Sequence, residues 1–200
     1  MKQSHHQKLA SFFYELGTLR RVLRAHQQML LAHDPTDNIA SHSFRAAFIG
    51  YFLAKELKAD ADKVLKMCLL HDIEEIRTND HNWVHRRYTK MFDEEVRAEQ
   101  LNDFVGAKEL LAVSHEYGQR MSFESKIAKD ADLLDQVLLM REYEWGGNKE
   151  AKNWLHDGHG QRSAQEKQMN TKLAKDIAKE IKKQDPSFWW ANLWTPKRRK

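Results

Sequence analysis

Cys68-Leu69-Leu70-His71-Asp72-Ile73-Glu74-Glu75 carries an apolar helical run directly into an adjacent imidazole and carboxylate. His71 and Asp72 can act as neighbouring ligands of one metal ion. Such a pair also ends many ordinary helices, so a metal interpretation needs partners elsewhere in the chain. Upstream, Val64, Leu65, Met67, Cys68 and Leu70 recur at helical spacing. Lys58-Ala59-Asp60 separates this helix from one expected over Phe44 to about Leu57. Ser41 is its expected N-cap, with Ala47, Phe48, Tyr51, Phe52 and Ala54 on the buried side. The two helices form a hairpin. At about 1.5 Å per residue the chain runs about 20 Å out from His42 and about 15 Å back to His71, so both imidazoles arrive at the same end.

Working outward, a first helix is expected from about Gln7 to His33, ended by the turn cluster Asp34-Pro35-Thr36-Asp37-Asn38. After Asp72, the mixed segment Ile73 to Trp83 suits the rim of a pocket. Further helices are expected over Met91–Val105, Ala107–Tyr117, Phe123–Tyr143 and Ala164–Lys183. The last is heavily charged, and its thin apolar stripe of Leu173, Ile177 and Ile181 predicts a surface position. The loop His156-Asp157-Gly158-His159-Gly160 reads as a polar connector rather than a metal loop. Phe188, Trp189, Trp190, Leu193 and Trp194 form a segment expected to dock on the body or on a partner subunit, the second of which is compatible with a homodimer.

Only three prolines and eight glycines interrupt the chain, and no strand-like alternation competes with the helical periodicity. The expected fold is an all-α, single-domain helical bundle over residues 1–200, with its core over about 7–183 and a docking segment and basic tail over 184–200. The single cysteine, Cys68, cannot form an internal disulfide and points to a reducing compartment. No stretch approaches the roughly 20 apolar residues of a membrane span, and the polar N-terminal residues lack the apolar core of a signal peptide. A soluble cytoplasmic protein is expected. The net charge of +4 is modest, and Lys197-Arg198-Arg199-Lys200 reads as a solvated tail rather than a nucleic-acid contact. Eleven histidines direct attention to metal chemistry.

A fourth group near the hairpin comes from Lys129-Asp130-Ala131-Asp132-Leu133-Leu134-Asp135. On a helix Asp132 falls among Ala128, Ala131, Leu133 and Leu139, so its carboxylate needs a cation: a metal, or a buried lysine or arginine. With His42, His71 and Asp72 it makes two nitrogens and two oxygens from three helices, a set that suits one divalent ion among Mn, Fe, Co, Ni and Zn. Arg45 either supports the site from behind or faces solvent. Glu74, Asp130 and Asp135 read as solvated or supporting carboxylates, Asp135 being the best candidate for support. His81, His85, Arg86 and Arg87 fit an exposed face as well as a phosphate contact, and His115 and Glu116 an ordinary helix end.

These residues resemble the signature of the HD-domain metal-dependent phosphohydrolases. Ser41-His42-Ser43-Phe44-Arg45, Lys63 to Asp72, Glu75 to Asp80, Lys129 to Asp135 and Asp185-Pro186-Ser187-Phe188-Trp189-Trp190 are similar to the 5'-deoxynucleotidase-like branch. The resemblance implies that His42, His71, Asp72 and Asp132 hold the metal, that Asp72 and Glu75 are the catalytic carboxylates with Glu75 orienting or deprotonating the attacking water, and that Asp80 faces the sugar. It implies a 5'-nucleotidase acting on (2'-deoxy)nucleoside 5'-monophosphates, a small-molecule phosphate-ester substrate rather than nucleic acid. The chain departs from the family in its first loop. Leu23-Arg24-Ala25-His26-Gln27 keeps the arginine, which the resemblance assigns to the phosphate and whose guanidinium matches phosphate oxygens in a bidentate way, but lacks the proline, glycine and tryptophan that usually surround it. Another phosphate ester, a cyclic nucleotide or a nucleoside triphosphate is the alternative substrate, and a non-catalytic metal- or nucleotide-binding regulatory module the alternative role.

Overall fold

The computed structural model describes residues 3–156, 165–191 and 193. Helix α1 (His5–Leu16) leads through a 3-10 turn (Gly17–Arg21) to α2 (His26–Leu30), α3 (Ile39–Glu56) and α4 (Ala61–Leu70). Short helices α5 (Glu75–Thr78) and α6 (Trp83–Tyr88) precede α7 (Asp93–Leu101), α8 (Ala107–Gln119) and the long α9 (Phe123–Trp145). The chain continues with α10 (Lys149–Leu155), α11 (Gln165–Gln168), α12 (Lys172–Lys183) and a 3-10 turn at Phe188–Trp190. The fold is all-α, and among the described residues the one β-type pairing is an isolated antiparallel bridge between Leu23 and Asn38.

That bridge overturns the single first helix expected over Gln7–His33. Beyond Arg21 the chain extends, and Arg24 N–H donates to Asp37 O at 3.2 Å while Ile39 N–H donates to Val22 O at 2.9 Å. The apolar periodicity survives the break because Val22 and Leu30 are still buried in the same core. Arg24 therefore lies in an extended segment.

Helix α3 starts earlier than Phe44 and is capped by Asn38 rather than Ser41: the Asn38 side chain accepts from Ser41 N–H at 3.1 Å. Its buried face is His42, Ser43, Ala46, Ala47, Gly50, Leu53 and Ala54, whereas Phe48 and Phe52, expected inside, are exposed. Close approach explains the difference. A Cβ on Gly50 would stand 2.7 Å from Cys68 Sγ and 2.9 Å from Val64 Cγ1, so small residues must face α4 and bulky aromatics must turn outward. The other wall of the core is α9, where Ile127, Ala128, Ala131, Leu134, Val137 and Met140 are almost fully buried.

The helix expected over Ala164–Lys183 is split. Asp130, expected to be solvated or to support the site, does neither: it is fully buried and accepts from Asn170 N at 2.7 Å, Asn170 Nδ2 at 3.0 Å, Thr171 N at 2.8 Å and Thr171 Oγ1 at 2.7 Å. A carboxylate meeting four donors holds a turn between α11 and α12, and Thr171 then caps α12. Helix α7 is shorter than expected, α6 supplies the polar helical face weighed for His85, Arg86 and Arg87, and α10 arises where a polar loop was expected. Phe188, Trp189, Trp190 and Leu193 are exposed, so these four do not dock on the body of their own chain. His156 pairs with Glu144 at 2.9 Å. Residues 157–160 of that loop, Trp194 and the basic tail lie outside the described residues. Among the described residues no helix is long and apolar enough to cross a membrane.

Candidate metal centre and substrate pocket

His42 projects from the second turn of α3 and His71 caps the C-terminus of α4, so the hairpin brings both imidazoles to one end. His71 Nδ1 lies 2.8 Å from Cys68 O. A carbonyl can only accept, so Nδ1 carries the proton and Nε2 is free to present a lone pair. His42 Nδ1 lies 2.6 Å from Asp135 Oδ2, which imposes the same tautomer. The two Nε2 atoms face one another at 3.0 Å. Asp72 Oδ2 stands 3.1 Å from His71 Nε2 and 3.6 Å from His42 Nε2, and Asp132 Oδ1 stands 3.5 Å from His42 Nε2.

Electron-rich atoms gathered this closely need a cation between them. One ligand atom from each of His42, His71 and Asp72 lies within 4.8 Å of the others, so one ion could touch all three. Asp132 borders this group, with one oxygen on Lys129 Nζ at 2.6 Å and the other on Gln136 Nε2 at 3.1 Å. The chemistry of the donors fits a divalent ion of the Mn-to-Zn series. Without one, a proton does part of the same work: burial alone would lower His71, but the Asp72 carboxylate raises it to about 9. Burial together with the Arg24 charge holds His42 below its ordinary value. Asp72 and Asp132 remain well below the usual carboxylate range despite burial, Asp72 because of His71 and Asp132 because of Lys129 and His71.

A cavity of about 500 Å³ opens over this cluster. Backbone bonds from Ile73 N–H to Leu70 O at 3.3 Å and from Glu75 N–H to Asp72 O at 3.2 Å carry the helical path past Asp72, and Glu75 lines the cavity. Its Oε2 is buried without a hydrogen-bond partner. Burial, then the Asp72 and Asp80 carboxylates, push Glu75 up to about 11. Arg24 also lines the cavity, buried, with Nε and Nη1 unpartnered by hydrogen bonds. Burial opposes its charge, but Asp72, Asp80, Asp132 and Asp135 more than compensate and hold it protonated. Asp80 Oδ2 accepts from Ala25 N–H at 2.7 Å and lies 3.6 Å from Arg24 Nε, so one of its oxygens serves the Arg24 segment.

Asp135 supports the site, as expected, and Arg45 joins it from α3 by donating to Asp135 and Glu142. Of the two readings of Glu74, solvated or supporting, the solvated one does not hold: it is buried against Arg97, with Oε1 2.7 Å from Arg97 Nη1, and burial pushes it up to about 7. His81 and Arg86 reach the cavity lining. His115 pairs with Glu94 and Glu116 with Lys63 at the surface. Lys129, Gln136, Arg97 and Trp154 escaped sequence reading as site residues, whereas Trp83 belongs to the segment expected at a pocket rim. Helical spacing of three and four from Asp132 could have found Lys129 and Gln136. Nothing local marks Arg97 or Trp154, which reach the cavity from distant helices.

Comparison with known proteins agrees with this architecture. A conserved hypothetical protein from Pyrococcus furiosus superposes with a TM-score of 0.66 at 28% identity, covering 88% of this chain and 99% of that one. A protein from Pyrococcus horikoshii OT3 gives 0.67 at 25% identity, covering 87% and 98%. A predicted metal-dependent phosphohydrolase from Magnetospirillum magnetotacticum MS-1 shares the fold, with a TM-score of 0.64 at 23% identity over 89% and 91%. Ribonuclease Y from Borreliella afzelii and Borreliella burgdorferi is 40% identical over 57 residues, 28% of this chain but only 11% of those proteins. Residues 16–183 match the family model for the HD domain, and with the His-Asp cluster sitting inside that span, the chain belongs to the HD domain family.

Proposed function

We propose that the protein is a metal-dependent phosphohydrolase that releases inorganic phosphate from (2'-deoxy)nucleoside 5'-monophosphates. The observation that carries this is the pair of Nε2 atoms at 3.0 Å, ringed by Asp72 and Asp132, in one cavity with an Arg24 guanidinium that has unspent donors. His42, His71, Asp72 and Asp132 would hold the ion. Bound there, a divalent ion would supply Lewis-acid polarisation of a phosphoryl oxygen and bring the pKa of a water down to about 7. Arg24 takes the phosphate charge through Nε and Nη1, which no hydrogen bond engages. Glu75 orients the attacking water and receives its proton; the ionised form that burial disfavours becomes accessible when positive charge faces it. Asp135 keeps His42 in the ligating tautomer. Asp80 fixes the Arg24 segment with one oxygen and leaves the other for the sugar.

The test is phosphate release from a panel of ribo- and deoxynucleoside monophosphates by protein loaded with Mn, Co, Fe, Ni or Zn. Asp72→Ala is expected to abolish turnover. No release from any member with any ion would sink the proposal. The short likeness to ribonuclease Y favours a second reading, a phosphodiester substrate, so a cyclic nucleotide and a short RNA belong in the panel. Product identity separates the two.

A further inference from the structure

Trp83 of α6 and Trp154 of α10 line the same cavity as Arg24 and the His-Asp cluster. Their ring centroids are 4.9 Å apart at an interplanar angle of 48°. Trp154 is partly buried against the core, so it backs Trp83, whose own surface stays 49% exposed. A large indole left half open in a cavity lined mainly by charged and amide groups presents a face on which a planar ring can stack.

Its position relative to the phosphate end is fixed by one buried residue. Asn82 Oδ1 accepts from Val84 N–H at 3.0 Å and His85 N–H at 3.1 Å, which starts α6. The same side chain donates from Nδ2 to Ala25 O at 3.2 Å and to Gln28 Oε1 at 3.1 Å. With Asp80 accepting from Ala25 N–H, both backbone polar atoms of Ala25 are held by residues 80–82. Arg24 directly precedes Ala25 and Trp83 directly follows Asn82. A guanidinium for phosphate and an aromatic face are thus locked to each other through one polar clamp.

We propose that Trp83, backed by Trp154, is the stacking surface for the planar base of the substrate, and that Asn82 is the positioning residue that sets its distance from Arg24. The assignment rests on the hydrolase reading only for what happens to the phosphate; it concerns binding of a molecule with a phosphate at one end and an aromatic ring at the other. Base-on-aromatic stacking corresponds to roughly a 5- to 150-fold gain in affinity.

The test is calorimetric titration of the metal-loaded chain carrying Glu75→Gln, which prevents consumption of ligand, with adenosine 5'-monophosphate and with ribose 5-phosphate. The nucleotide is expected to bind more tightly by a factor in that range. Trp83→Leu is expected to erase most of the difference while leaving ribose 5-phosphate affinity unchanged, and Trp83→Phe to retain much of it. Equal affinities for the two ligands, binding of neither, or equal weakening of both by Trp83→Leu with Trp83→Phe no better, would overturn the assignment. Failure of the hydrolase reading has a different signature: the chain with Glu75 intact releases phosphate from neither ligand, while the binding comparison stands.

Discussion

His42 can face an ion only while its Nε2 keeps a lone pair, and Asp135 decides this by accepting the Nδ1 proton at 2.6 Å. Arg45 holds the other Asp135 oxygen, so the carboxylate cannot rotate away. Asp135→Asn fills the same space but can donate as well as accept, which admits the wrong tautomer. Its affinity for a divalent ion is expected to fall about 10- to 100-fold. Calorimetric titration of metal-stripped protein with manganese checks this, and unchanged affinity would remove Asp135 from the site. At this scale much was legible in advance. His42, His71 and Asp72 follow from helix lengths in a hairpin, and Asp132 from its place among apolar neighbours. Asp80 was legible only in part: its bond to Ala25 N–H joins residues 55 apart in sequence, across a segment whose extended backbone the apolar spacing had disguised as helix. Trp83 was read only as part of a pocket-rim segment, and Trp154 had no local signal at all, because a cavity is made by elements that do not know of one another in sequence.

At the scale of elements, the breaks rather than the helices escaped reading, and polar side chains make them. Periodicity reports which face is buried, and it continues through a turn when the residues on both sides join the same core, as Val22 and Leu30 do. The turn between α11 and α12 is held by Asp130 on α9, a residue whose buried role depends wholly on a segment 40 positions later. Asp130→Ala would leave the backbone N–H of buried Thr171 without its acceptor, while that of exposed Asn170 could turn to water. A buried donor stranded in this way, with loss of charge-assisted bonds, costs on the order of 3 kcal/mol. Urea unfolding is expected to show a lower midpoint at unchanged slope, since the surface exposed on unfolding does not change. A midpoint equal to the parent's would mean that the turn holds without Asp130.

For the whole molecule, the gathering of charge at one end of the bundle couples stability to pH and to metal. In the metal-free protein His71 sits at about 9 against an ordinary 6.5, so the native state holds its proton more tightly than the unfolded chain. That stabilisation is complete below about pH 6.5 and is lost as pH rises through 9. Glu75, raised from 4.5 to about 11, acts in the same direction: it is neutral in the native state, and the cost of keeping it so grows as pH climbs above 4.5. Glu74, raised to about 7, adds its share below neutrality. His42 opposes these groups only below its ordinary 6.5, because its folded value is depressed. Asp72 and Asp132, held low, lose their contribution only in acid. Between pH 7 and 8.5, therefore, His71 and Glu75 act together, and the melting temperature of chelator-treated protein is expected to fall as pH rises. A divalent ion changes the sign of the dependence, because imidazole ligands bind it deprotonated and release their proton on binding. The rise in melting temperature on adding saturating manganese should be larger at pH 8.5 than at pH 7. Thermal melts with chelator and with manganese at both pH values test this; a stripped protein whose melting temperature stays flat or climbs over that window would mean that the imidazole pair and Glu75 do not share one field.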